Sequence, residues 1–118
     1  QLSGFLSSKN FPAHFPNNTT CKWEIGGNDT VVDLLVSNRL LKSDDGSQIE
    51  IYSRNYQYNR NLSGNSNEPE EISDLKGPVN IIFKGVTSDH GFMIHYQVKP
   101  YTARGAPLLP PPPLLFDD

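Results

Sequence analysis

Three histidines (His14, His90 and His95), a single cysteine (Cys21) and many serines are the side chains in this sequence that could support nucleophilic or general-base chemistry. Such chemistry needs a nucleophile within hydrogen-bond reach of a base, next to donors that stabilise an oxyanion. No nucleophile elbow, oxyanion loop or cysteine-enzyme signature surrounds these residues. Asp89-His90 reads as loop polarity rather than a dyad, and His95 alternates onto the outer face of its segment. The residue pattern therefore argues against an enzyme. One cysteine also supports neither an internal disulfide nor a cysteine-based metal site.

A different chemistry is offered by Tyr52-Ser53-Arg54-Asn55-Tyr56-Gln57-Tyr58-Asn59-Arg60. Tyrosine and arginine interleaved with Asn and Ser provide large amphipathic contacts and adaptable hydrogen bonds, as in antibody paratopes. Tyr52, Arg54, Tyr56, Tyr58 and Arg60 are accordingly the candidate partner-binding residues. The competing reading is a polar loop whose tyrosines fold back onto the domain.

The elements that must position these residues show a period of two. Trp23 and Ile25 alternate with Lys22 and Glu24, Val32, Leu34 and Val36 with Asp33 and Ser37, and Ile49 and Ile51 with Gln48 and Glu50. Val79, Ile81 and Phe83 share one face of a strand, and Phe92, Ile94, Tyr96 and Val98 one face of the next. Such alternation predicts half-buried strands, and these sets form the expected core. Gly26-Gly27-Asn28-Asp29, Ser43-Asp44-Asp45-Gly46, Gly77-Pro78 and the stretch from Thr87 to Gly91 are the turns between them. The polar stretch from Ser53 to Lys76 reads as loops around one weak strand. The pattern predicts an all-β, antiparallel sandwich or jelly roll over residues 1–100.

With 118 residues the chain suffices for one core. A formal charge of −3 provides no field for a phosphate backbone, so nucleic acid is excluded as a partner. No apolar run reaches the length of a membrane span, and the start at Gln1 reads as a processed end. Asn17, Asn18, Asn28 and Asn61 each begin an Asn-x-Ser/Thr sequon in a polar stretch. They point to a secreted or cell-surface glycoprotein.

Residues 101–118 form a tail in which Pro107 and Pro110 to Pro113 are interleaved with Leu108, Leu109, Leu114, Leu115 and Phe116. Polyproline II would carry it on the order of 40 to 50 Å if fully extended. Its large apolar side chains distinguish it from a solvated linker and suggest a docking arm. Pro107-Leu108-Leu109-Pro110 fits a PxxP pattern, whose readers are intracellular, so this match is treated as accidental.

The order of the N-terminal features resembles the opening of a CUB domain. Gly4-Phe5-Leu6-Ser7-Ser8 is followed by Asn10-Phe11-Pro12, Phe15-Pro16-Asn17-Asn18 and Cys21-Lys22-Trp23-Glu24-Ile25. The C-terminal half is similar too, with Ile81-Ile82-Phe83, Ser88-Asp89 and Gly91-Phe92-Met93-Ile94-His95-Tyr96. The resemblance spans residues 2 to 98 and implies an antiparallel jelly-roll β-sandwich of CUB type. It also implies two disulfides that are missing. The partner of Cys21 would fall near Leu2, and the second pair near Asp44 or Asp45 and Ser63. Cys21 is thus either buried as a small hydrophobe or bridged to another chain.

Many CUB domains hold calcium between acidic residues of two loops. Of the three implied positions only Asp89 matches, since the others fall near Leu41 or Lys42 and on Gly46, with Asp44 and Asp45 alongside. No cofactor is therefore expected, and Asp45 and Asp89 are the residual metal candidates. The expected function is a non-catalytic extracellular module that binds another protein or its own kind. Alternatives are a building block of a fibre or complex docking through its tail, and a glycan binder.

Overall fold

The computed structural model describes residues 2–41, 46–53 and 58–100. Eight strands run in chain order: β1 (Leu2–Ser7), β2 (Thr19–Ile25), β3 (Thr30–Val36), β4 (Gln48–Tyr52), β5 (Asn59–Leu62), β6 (Glu70–Lys76), β7 (Val79–Gly85) and β8 (Met93–Pro100). They form two four-stranded sheets, one ordered β1-β8-β3-β6 and the other β2-β7-β4-β5. All pairings are antiparallel. The fold is an all-β sandwich, with no helix among the described residues.

The alternating apolar residues meet between the sheets. Val32, Leu34, Val36, Ile94 and Val98 from the first sheet face Ile49, Ile51, Val79, Ile81 and Phe83 from the second, all buried. Two loop residues complete the core: Phe15 packs edge-on against Phe83 at 5.1 Å, and Phe83 against Phe92 at 5.0 Å between ring centroids. Trp23 meets Phe92 edge-on at 6.3 Å, extending the aromatic row toward the β2 edge. Offset and edge-to-face rings contribute about 0.5–1.5 kcal/mol per pair beyond their burial.

The stretch from Ser53 to Lys76, expected as loops around one weak strand, supplies two edge strands, β5 and β6. In β6 the buried residues Ile72 and Leu75 stand three apart, which a regular strand would send to opposite faces. The pairing with β3 shifts register between Val32 and Leu34, and Asp74 takes a positive φ of 62°. This bulge turns both side chains inward and hides the strand from a period-two reading. Trp23 and Tyr96, expected in the core, are only half-buried.

The two flanks of the sandwich are closed differently. On one, Arg60 of β5 forms an ion pair with Glu70 of β6, clipping the sheet edges together, and Glu70 also faces Arg39 at 3.5 Å. On the other, a cleft of about 430 Å³ opens between the β1 and β2 edges, lined by Leu2, Phe5, Trp23, Tyr96 and Val98 among others.

Candidate functional site

The outer face of the first sheet carries an apolar row fixed by strand register. Phe5 on β1 lies opposite His95 on β8, which lies opposite Leu35 on β3. Inward packing of Leu6, Leu34 and Ile94 forces their neighbours Phe5, Leu35 and His95 outward. Phe5 is 67% and Leu35 43% exposed. The Phe5 and His95 rings lie 4.7 Å apart at a tilt of 40°, and Met93 and Pro69 join them around a shallow depression that is almost wholly apolar. An exposed apolar cluster of this kind is a candidate contact surface. Its sequence signal is two apolar residues out of phase: Leu35 breaks the alternation of β3, and Phe5 precedes a buried Leu6.

The tyrosine- and arginine-rich stretch is only partly described. Arg54 and Tyr56 lie outside the described residues. Tyr52 is half-buried and donates its hydroxyl to Glu50 at 2.9 Å. Tyr58 packs against the core cluster, and Arg60 is held by Glu70. The structure does not bring Tyr52, Tyr58 and Arg60 together as one projecting patch. Arg39, deep in the same flank, sends one guanidinium nitrogen to Glu70 and another to the Ser63 carbonyl at 3.3 Å. Burial, and then the charge of Arg60, lower its pKa below the usual arginine value.

Asn17, Asn18, Asn28 and Asn61 are all exposed. The Asn17 side-chain oxygen accepts the Ser88 N–H at 2.7 Å, which fixes the side chain without using its amide nitrogen. Cys21 is half-buried on β2 and packed against the core. The tail residues Leu108, Leu109, Leu114, Leu115 and Phe116 lie outside the described residues.

No family model matches the sequence, and no curated protein matches it. Comparison of the structure with solved structures gives a different result. The crystal structure of the MASP-1 CUB2 domain bound to Ca2+ superposes with a TM-score of 0.69 at 18% identity, over 82% of this chain and 93% of that one. This chain has the CUB fold. The CUB1-EGF-CUB2 domains of human MASP-1/3 (TM-score 0.68, 15% identity) and of rat MASP-1 (0.67, 20%) agree, over 85% and 82% of this chain. The CUB-type sandwich spans 42% and 38% of those longer chains.

One of these structures holds Ca2+, which the CUB resemblance places between two loops. Leu41 is buried and apolar, Gly46 has no side chain, and the Asp89 Oδ1 accepts the His90 N–H at 2.8 Å. Asp44 and Asp45 lie outside the described residues. Among the described residues no three His, Cys, Asp or Glu side chains converge.

Proposed function

We propose that this CUB-type domain is an extracellular, non-catalytic module that binds a protein partner through the outer face of its β1-β8-β3-β6 sheet. The observation that carries this reading is the registered Phe5–His95–Leu35 row, an exposed apolar and aromatic cluster on an otherwise complete sandwich. Aromatic anchors of this type dominate protein interfaces. The row ends at Glu71, opposite Leu35 on β6, and is bordered along β8 by Gln97, polar margins of the kind found at an interface rim. Four exposed sequon asparagines support an extracellular setting.

The test is capture of partners from extracellular fluid or cell surfaces with the whole chain, against Phe5→Ser/Leu35→Ser and Tyr56→Ala/Arg54→Ala variants. Loss of a saturable partner only in the first pair supports the sheet face. Loss only in the second pair returns the site to the loop, and unchanged binding in both rejects both surfaces.

A second reading is favoured by the cleft between β1 and β2. Residues 101–118 follow β8 at Pro100, two positions from Val98, which lines that cleft with Trp23 and Tyr96. Aromatic-lined grooves receive Pro-rich segments, so the tail of a neighbouring copy is the proposed occupant, making the chain a building block. Truncation after Pro100 would then abolish concentration-dependent self-association, whereas an unaltered oligomeric state would dismiss it.

A further inference from the structure

We infer that His14 and His90 form a surface site for a transition-metal dication such as Zn2+ or Cu2+. The two imidazoles come from loops 76 positions apart in sequence, yet their Nε2 atoms stand 3.2 Å from each other with the rings nearly perpendicular. Two imidazole nitrogens each about 2.0–2.1 Å from one tetrahedral metal stand about 3.3 Å apart. The nitrogen separation is thus close to that of two ligands on one ion, and the ring centroids, now 4.3 Å apart, must open to about 5 Å for both lone pairs to point at it.

The second ring nitrogen of His90 fixes its tautomer. Nδ1 lies 2.8 Å from the Pro12 carbonyl oxygen, which can only accept, so Nδ1 carries the proton and donates. In the neutral ring Nε2 then accepts the His14 Nε2–H, and an ion would take that proton's place as His14 shifts to its other tautomer. Donation of the remote N–H to a carbonyl is the arrangement that orients metal-binding histidines.

The loops are also held in place before any ion arrives. Phe15, next to His14, has a fully buried ring, and its N–H donates to the Asp89 carbonyl at 3.0 Å. The Asn18 N–H donates to the Val86 carbonyl at 2.9 Å, and the Ser88 N–H to the Asn17 side chain. Little ordering remains to be done on binding, which favours affinity. Both histidines are exposed, so an ion can reach them. Imidazole donors select Cu2+, Ni2+ and Zn2+ over Ca2+ and Mg2+, with water completing the coordination. Such an ion would staple the loop after β1 to the loop between β7 and β8.

Titration of the whole chain with ZnCl2 at neutral pH, followed by calorimetry and thermal melting, tests this, with CaCl2 as control. One equivalent of Zn2+ should bind and raise Tm, and His14→Asn and His90→Asn should each weaken binding by about tenfold or more. His95→Asn and Cys21→Ser should bind as the parent does. With CuCl2, electron paramagnetic resonance should report two imidazole nitrogens on the copper. If Zn2+ leaves Tm unchanged, or binds equally to both asparagine variants, the rings merely share a hydrogen bond and the inference fails. Binding lost in the His95 or Cys21 variant would overturn it as well. Metal-free melting of each variant separates lost binding from lost folding.

Discussion

The Asp33 carboxylate on β3 accepts a hydrogen bond from the Asp74 backbone N–H on β6 at 2.9 Å, joining the two strands where their register slips. Asp74 needs this bond because its positive φ takes its amide out of the regular ladder. Lys99 on β8 approaches the other Asp33 oxygen at 2.9 Å. Burial alone would raise the Asp33 pKa, but the Asp74 amide and Lys99 outweigh it and hold it below the ordinary aspartate value.

The linkage has a definite sign. Because the folded pKa is depressed, Asp33 stabilises the fold above its unfolded value of 3.8, and this is lost as pH falls through the lower folded value. Asp33→Ala should cost about 1–2 kcal/mol in urea unfolding at neutral pH. The difference between parent and variant should shrink progressively as the solution is acidified below pH 3.8. A pH-independent difference would show that packing, not the carboxylate, is responsible.

Gly91 provides a backbone prediction. Its φ is +90°, and an added Cβ would stand 1.9 Å from the Ser8 hydroxyl, which accepts the Phe92 N–H. Its backbone also pairs with Leu40 in both directions, so it cannot move freely. Gly91→Ala should destabilise by about 2–4 kcal/mol, from strain and displacement of Ser8 together. Adding Ser8→Ala should recover only part of this loss, since the φ penalty remains. Thermal melting of Gly91→Ala, Ser8→Ala and the double variant measures both contributions.

Glu70 stands between two guanidiniums, so its removal should do more than delete an ion pair. Glu70→Gln leaves Arg39, with only 11% of its side chain exposed, facing Arg60 without a counter-charge. The loss should be about 1–3 kcal/mol, between the values for surface and buried pairs. In the Glu70→Gln background, Arg60→Gln should then become neutral or stabilising, while in the parent it destabilises. A double-mutant cycle by urea unfolding reads this change of sign.

How much of this was legible in the sequence depended on regularity. Val32, Leu34, Val36, Ile49, Ile51, Val79, Ile81 and Phe83 alternate strictly, and all are buried. Trp23 and Tyr96 alternate equally well but reach the open flank between β1 and β2, where there is too little cover to bury them. β6 was hidden because its bulge gives it a three-residue spacing. The Phe5–Leu35 row was hidden because its members touch only through β8, and His14–His90 because their pairing depends wholly on loop packing. A periodicity along one strand cannot report which strands become neighbours.

The same alternation turns Cys21 toward the core. Thr19, Cys21, Trp23 and Ile25 take the inward phase of β2 while Lys22 and Glu24 take the outward one, and Cys21 lies opposite Phe83. A disulfide to another chain would require the thiol to swing out from the core it packs against. The chain should therefore run as a monomer on both reducing and non-reducing gels. Iodoacetamide should modify Cys21 slowly in the native protein and completely in urea, because only the unfolded chain presents the thiolate freely. Cys21→Ala should cost about 1 kcal/mol, the loss expected for a half-buried small hydrophobe. Rapid native alkylation, or a dimer band that reduction removes, would show instead that the β2 edge opens and that Cys21 is a linking residue.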